Sequence, residues 1–351
     1  MAKGKLAVGL DIGSASVKLV QLKEKRSGFA LVAFGTAPLP PEAIVDGALM
    51  NSAAIVQAIQ ELVAQQRVKA KEVAIGVRGH SVIIKKISMP AMSQEELDDR
   101  IQWEAEQYIP FDVKDVNIDT QILTPEGDAA GQMDVLLVAA KKDMINDYTS
   151  VCAEAGLTAT VVDVDAFAVQ NAFEASYDAS ADTVVLVNVG AAVSNINVVS
   201  RGVTTFTRDI TMGGNAFTEE IQKQLNISYD EAEALKLGGQ GDSDAVVPQE
   251  VERVIQAVAD QMGGEIQRSL DFYASTAADG KITRAYLSGG TARVPALQRV
   301  VEARTGVDVE ILNPFKNVEV DHGKFDPALI VAAAPSAAVG VGLALRRPLD
   351  K

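Results

Sequence analysis

The feature that most narrows the folds open to this chain is a motif that occurs twice, about half the chain apart. From Gly9 to Val20 the sequence reads GLDIGSASVKLV, and from Leu186 to Asn197 it reads LVNVGAAVSNIN. With Gly13 laid over Gly190, Leu10 falls on Val187, Asp11 on Asn188, Ile12 on Val189 and Ser14 on Ala191. Each copy is an apolar strand, a short polar residue, an apolar residue, a glycine turn and a further alternating run, the pattern of a β-hairpin. Two such hairpins predict two lobes built on one plan. A length of 351 residues asks for the same, because a single core stops growing well below that size. The copies differ in chemistry: the first holds Asp11, Ser14, Ser16 and Lys18, the second Asn188, Ala191, Val193 and Asn195.

Composition removes several function classes. The formal net charge is −15 and no long basic run is present, which excludes the nucleic-acid backbone as a partner. The single cysteine, Cys152, excludes a disulfide framework and a cysteine metal site, and His80 and His322 lack zinc-ligand spacing. The apolar part of MAKGKLAVGL is too short for a secretory leader, so a reducing cytoplasm is expected. The segment Ala328 to Leu345, ALIVAAAPSAAVGVGLAL, is marginal in length for a membrane span, and Pro335 interrupts it. It reads instead as a buried helix starting near Pro335.

Along the chain, LAVGLDIG, ASVKLVQLKE and FALVAFGTAPLP read as three strands with corners at Gly13 and Ser27-Gly28. NSAAIVQAIQELVAQQRV has a helical period through Ile55, Ile59, Leu62 and Val63, capped by Asn51 or Ser52, and EVAIGVRG is the next strand. Past Val82 comes another strand, then SQEELDDRIQWEAEQYIPF, which opens on a Ser93–Glu96 capping box and ends at Pro110. A strand pair, a helix stopped by Gly156 and a strand follow. A helix then leads to DTVVLVNVG and to a hairpin turning at Arg201-Gly202. Gly213 to Gly280 is mainly helical, broken by GGQGDSDAVVP; RAYLSGG is a strand ending in a glycine pair, before a last helix and strand. The expected architecture is α/β. Residues 1–81 and 163–180 form the first lobe core, 82–162 an αβ insert, 181–212 and 281–351 the second lobe core, and 213–280 a helical subdomain.

A strand–turn–strand rich in glycine and small hydroxyl residues offers backbone N–H groups to an anion. Asp11 at a strand end suits a magnesium ion held through its water shell. Ser14, Ser16 and Lys18 add donors and a positive charge for phosphate oxygens. One such hairpin is equally well a plain solvated turn; two can converge on a single cleft. Ser288 to Gly290 adds a third glycine turn between a strand and a helix, which suits close backbone approach to a nucleotide.

The three stretches, in this order, resemble the first phosphate loop, second phosphate loop and adenosine loop of the actin, sugar-kinase and Hsp70 ATPase superfamily. The likeness covers nearly the whole chain. The position of the insert and MGGNAFTEEIQKQLNISYDEAEALKLG resemble the cell-division branch, FtsA. DDRIQWEAEQYIPFDVKDV resembles the PilM family, the cytoplasmic actin-like proteins of bacterial type IV pilus machines. The resemblance implies an actin-like ATPase fold, two lobes each with a ribonuclease-H-like core and an FtsA-type insert in the first. It implies ATP and Mg2+ as cofactors, with Asp11, Gly13, Ser14, Ser16 and Lys18 at the metal and phosphates and Asp11 as the metal residue. Asn188, Gly190 and Ala191 would form the second phosphate loop, and Gly213, Gly214 and Asn215 would open the helix beside the nucleotide. Glu233 and Lys236 would flank the adenosine, although a Glu–Lys pair at this spacing is also common on a solvated helix face. Gly289, Gly290 and Thr291 would cover it from the other side.

Active members of the superfamily usually carry an Asp in the second loop. Asn188 cannot offer a carboxylate's charge to a cation, so ATP binding is implied with hydrolysis slow or absent. Asp165 matches the place where relatives orient water; it could act as a base or cap the helix that follows. The implied partner is PilN, a bitopic inner-membrane protein whose cytoplasmic N-terminal tail would lie in a groove between the first lobe and its insert. Tyr108, Ile109 and Phe111 are the insert residues to watch, as contacts or as core. Pilus assembly ATPases and the platform protein are further implied partners. The implied location is cytoplasmic, peripheral at the inner membrane through a protein partner. The six residues after Leu345 include Pro348 and are too short for an amphipathic membrane helix, so direct insertion is not expected. Two alternatives stay open: a small-molecule kinase on the same fold, and a filament-forming actin-like protein.

Overall fold

A computed structural model describes residues 5–124, 131–178, 182–238, 249–276 and 281–348. Most of the break expected at GGQGDSDAVVP lies outside the described residues. The first lobe opens with β1 (Val8–Ile12), β2 (Ser16–Glu24) and β3 (Phe29–Pro38), then the short pair β4 (Ile44–Val45) and β5 (Ala48–Leu49). Helix α1 (Ser52–Gln65), capped by the Asn51 side chain, and β6 (Glu72–Val77) follow. The insert comprises β7 (Val82–Pro90), α2 (Gln94–Ala105), β8 (Val116–Ile122) and β9 (Gln132–Lys141). The Ser93–Glu96 capping box that starts α2 is present in full. Next come α3 (Lys142–Glu154), β10 (Thr158–Val164) and α4 (Asp165–Ser176).

The second lobe runs through β11 (Thr183–Val189), β12 (Ser194–Ser200) and β13 (Val203–Ile210) to α5 (Gly214–Leu225), α6 (Tyr229–Lys236) and α7 (Gln249–Thr276). It ends with β14 (Arg284–Ser288), α8 (Pro295–Thr305) and β15 (Asp308–Ile311). The turn between β12 and β13 is the expected Arg201-Gly202, both in the left-handed region at φ 51° and 77°. The chain closes with β16 (Val318–Glu319), α9 (Pro327–Ala333) and α10 (Ala338–Ala344).

The two large sheets share one plan. The first has the order β10-β6-β1-β2-β3-β16 and the second β13-β12-β11-β14-β15. In each, the opening strand pairs antiparallel with the second, the second with the third, and two parallel strands lie on the other side. Ile12 pairs with Val17 in the first hairpin and Val189 with Ser194 in the second, the register the sequence echo requires. All five residues of β1 and all seven of β11 are buried, as strands covered on both faces must be.

Helices α1 and α3 cover one face of the first sheet, and α7 and α8 one face of the second. Between the sheets lie α4 and α10, which bury Ala168, Val169, Phe173, Val339 and Leu343 against residues of both lobes. The two helices meet almost backbone to backbone: a Cβ added at Gly342 would fall 1.7 Å from the Ala168 carbonyl oxygen.

Three sequence expectations move. The insert ends at Lys141, not at Val162, because Met144, Tyr148, Val151 and Cys152 of α3 bury in the first-lobe core and β10 pairs parallel with β6. What remains, β7, β8, β9 and α2, has its own core around Leu97, Ile101, Met133 and Leu137. The end of the chain returns to the first lobe: β16 pairs with β3, and Ile330, Ala334, Ala337 and Val341 pack on Val20, Leu22 and Leu31. The apolar segment begins its helix at Pro327, capped by Asp326, and Pro335 sits in a 3-10 turn that joins α9 to α10. Pro327–Ala344 is long and apolar enough to cross a membrane by composition, yet 61% of it is buried inside the protein.

Candidate functional site

The two hairpin turns face each other across a cleft. In the first, the Gly13 N–H donates to the Ser16 carbonyl at 3.0 Å; in the second, the Gly190 N–H donates to Val193 at 3.0 Å. Just before each turn stands a cross-strand pair. In the first lobe Lys18 Nζ donates to Asp11 Oδ2 at 3.1 Å. In the second, Asn188 Nδ2 reaches Asn195 Oδ1 at 3.5 Å, and Asn195 Nδ2 donates to Asp209 Oδ1 at 2.6 Å. Ser288, at the end of β14, donates to Asn188 Oδ1 at 3.3 Å. The second turn is held further by Gly214 N–H and Thr291 Oγ1, both donating to the Gly190 carbonyl at 2.9 Å, and by Asn215 N–H on Ala191 at 2.8 Å.

The cavity between these turns has a volume of about 250 Å³. From the first lobe Asp11, Gly13, Ser14, Ser16, Lys18 and Asp165 line it; from the second, Asn188, Gly190, Ala191, Asn215, Glu233, Lys236, Gly289, Gly290 and Thr291. Of the residues singled out in sequence for the nucleotide and its metal, Gly213 and Gly214 do not line it and instead buttress the second turn. A larger cavity of about 950 Å³, between β13, α5 and α7, contains none of them.

The Glu233–Lys236 pair is withdrawn from solvent on its Lys236 side, while Glu233 is half-buried. Lys236 is 7% exposed and donates to Glu233 Oε2 at 2.5 Å, Thr218 Oγ1 at 3.1 Å and the Gly214 carbonyl at 3.3 Å. Burial holds its ammonium below the usual lysine range, against the pull of Glu233. The capping role open to Asp165 also falls away: Val164 is the N-cap of α4, and no side chain bonds there.

Sequence reading missed Arg78. Three adjacent parallel strands, β1, β6 and β10, end at or beside Asp11, Arg78 and Asp165. Arg78 Nη1 forms an ion pair with Asp165 Oδ2 and lies 3.8 Å from Asp11 Oδ1, while Nη2 donates to the Ile12 carbonyl at 3.0 Å. Burial pushes the Asp165 carboxyl up to about 6, although Arg78 pulls it down. Burial opposes the Arg78 charge as well, but Asp165, Tyr148 and Asp11 more than offset this and raise its pKa. The available signal was positional: side chains at the carboxyl ends of neighbouring parallel strands converge.

Among the described residues no three His, Cys, Asp or Glu side chains gather to hold an ion directly. Asp11, paired with Lys18, fits an ion held through water and phosphate oxygens rather than a protein cage. In the insert, Ile109 is 6% exposed in the core, so it is unavailable as a partner contact. Tyr108 and Phe111 are half-buried against that core, and Lys141 Nζ sits 4.4 Å from the Phe111 ring centroid.

Two sheets of one topology, two helices packed between them and glycine turns converging on a cleft define the actin-like fold, with a ribonuclease-H-like core in each lobe. The family model for the type IV pilus assembly protein PilM matches residues 9–348, and the chain belongs to that family. A solved PilM–PilN type IV pilus biogenesis complex contains a chain that is 28% identical and superposes with a TM-score of 0.88 over 99% of this chain and 100% of that one. The cell division protein FtsA of Enterococcus hirae is 26% identical over 90% of this chain and 79% of its own length. The ethanolamine utilization protein EutJ from Carboxydothermus hydrogenoformans shares the fold, with a TM-score of 0.59 at 17% identity over 98% of this chain and 90% of that one.

Proposed function

We propose that this chain is an ATP-binding scaffold of the type IV pilus inner-membrane platform that binds the cytoplasmic N-terminal tail of a PilN-like bitopic membrane protein. The near-full-length likeness to a chain solved in a PilM–PilN complex carries this reading. The cleft supports the nucleotide part. Lys18 and the first turn's N–H groups receive phosphate oxygens, and Asp11 receives Mg2+ through its water shell. Glu233 and Lys236 flank the adenosine, with Gly289, Gly290 and Thr291 opposite. The second turn closes the cleft without adding charge, since Asn188 spends its amide on Asn195 and Ser288.

The tail lies in a groove between the first lobe and the insert, and the partner brings this chain to the cytoplasmic face of the inner membrane. The kinase alternative lacks a free base among the described residues of the cleft: Asp165 is paired with Arg78, and Glu233 with Lys236. Calorimetric titration of the purified chain with a PilN tail peptide, with and without Mg-ATP, tests the proposal. Saturable binding of the peptide is expected; absence of binding in both conditions overturns it.

A further inference from the structure

The first-lobe corner of the cleft contains a carboxylate in the place where a water-orienting group is expected, yet that side chain is only 1% exposed. Asp165 Oδ2 is held by Arg78 Nη1. Asp165 Oδ1 is buried without a hydrogen-bond partner. It is packed against the backbone of Gly76, where an added Cβ would fall 2.1 Å away. The carboxylate is therefore walled off by the strand beside it.

What faces the cleft at this corner is the arginine. The Arg78 side chain keeps 15% of its exposure and lines the cavity. A guanidinium has five N–H donors in a rigid fork, and the interactions with Asp165, the Ile12 carbonyl and Asp11 leave donors unused. Asp11 thus stands between two cations, Lys18 at 3.1 Å and Arg78 at 3.8 Å. Both cations belong to the first-lobe wall, opposite the Glu233–Lys236 pair on the second.

We infer that Arg78 is the phosphate-reading group of this corner: with Lys18 it binds the terminal phosphate of a nucleoside triphosphate, and Asp165 is the buried anchor that positions its guanidinium. The inference rests on the nucleotide reading of the cleft given above. It assigns the chain a preference for a triphosphate over a diphosphate, because a diphosphate lacks the third phosphate that the fork would hold. It also sets the Asp165 carboxylate to holding Arg78, against the Gly76 backbone, rather than to orienting a water.

The test is titration of the full chain with fluorescent ATP and ADP analogues in the presence of Mg2+, alongside phosphate release. Arg78→Gln should lose about tenfold or more in ATP affinity, the worth of one charge-assisted bond, with a much smaller change for ADP. Arg78→Lys should recover part of the ATP affinity. Asp165→Asn should lower the ATP-to-ADP affinity ratio in the same direction as Arg78→Gln, an effect that a merely structural residue would not produce. Because Arg78→Gln leaves a buried carboxylate unpaired, the double variant Arg78→Gln/Asp165→Asn removes both charges together and should show the same loss of ATP preference. Equal losses for ATP and ADP overturn the inference while leaving the nucleotide site standing. So does loss of phosphate release in Asp165→Asn at unchanged ATP affinity, which would make Asp165 a base. If the wild-type chain binds neither nucleotide, the reading of the cleft fails first.

Discussion

The two hairpins that face each other across the cleft have the same backbone and opposite chemistry. Both close with a glycine N–H on the carbonyl three residues on, at 3.0 Å in each case. Both set a polar pair across the strands just before the turn. In the first lobe that pair is Asp11–Lys18, with Arg78 and Asp165 beside it, so two carboxylates and two cations share one corner. In the second lobe it is Asn188–Asn195, a neutral link in a chain of side chains from Ser288 to Asp209. That chain ends on the first lobe, where the Gly79 N–H donates to Asp209 Oδ2 at 3.0 Å. A shared turn geometry therefore does not imply a shared task. One turn concentrates charge, and the other spends its polar groups on holding the lobes together.

The largest expected effect breaks the charged side. Lys18→Ala should weaken ATP binding by about 1.5–3 kcal/mol, the range for a hydrogen bond to a charged group. Equal affinity for wild type and variant in a calorimetric titration would show that the first turn does not hold phosphate. The converse change makes the second turn look like the first. Asn188→Asp removes the donor to Asn195 and sets a carboxylate against its oxygen, which should cost about 1–3 kcal/mol in urea unfolding at neutral pH. The deficit should shrink on acidification, as protonation restores a donor; a deficit independent of pH would count against the hydrogen-bonded chain.

The pH response sharpens the contrast further. The Asp165 carboxyl is raised by burial from an ordinary 3.8 to about 6. The folded chain then holds this proton more tightly than the unfolded chain, so the contribution of Asp165 to stability falls as pH rises from about 4 through about 6. Wild type should lose about 1–2 kcal/mol relative to Asp165→Asn across that window. Unfolding curves for the two that run parallel in pH would remove the charged corner from the argument. The smallest effect is at the edge of the neutral chain. Ser288→Ala deletes one long bond to Asn188 and should cost about 0.5–1 kcal/mol in thermal unfolding, with ATP affinity unchanged.

What was legible in the sequence was local. The hairpin register, the Ser93–Glu96 box, the cap at Asn51 or Ser52 and the Arg201-Gly202 turn each depend on residues a few positions apart, and each is found, the cap being Asn51. The end of the insert and the return of the last segment depend on strand pairing over long separations, which periodicity does not encode. Arg78 reads in sequence as a charge following a strand; its role appears only when β6 lies between β1 and β10. The spacing of Glu233 and Lys236 is the same whether the helix face is wet or buried, and here Lys236 is buried while Glu233 is half-buried.

The return of the chain to its first lobe has a consequence for synthesis on the ribosome. The second sheet needs only residues between Thr183 and Ile311, so its strands can pair as soon as that stretch has emerged. The first sheet is begun with Val8, but the cluster on Val20, Leu22 and Leu31, which Ala172 and Phe315 join earlier, is incomplete until Ile330, Ala337 and Val341 arrive. The lobe that is made first is therefore finished last, against the usual order in which an N-terminal unit closes before its successor. For most of translation that sheet keeps part of its apolar face uncovered, and a ribosome stalled before Pro327 would leave both the first lobe and the Gly289 turn, held by the Pro335 carbonyl, unfinished.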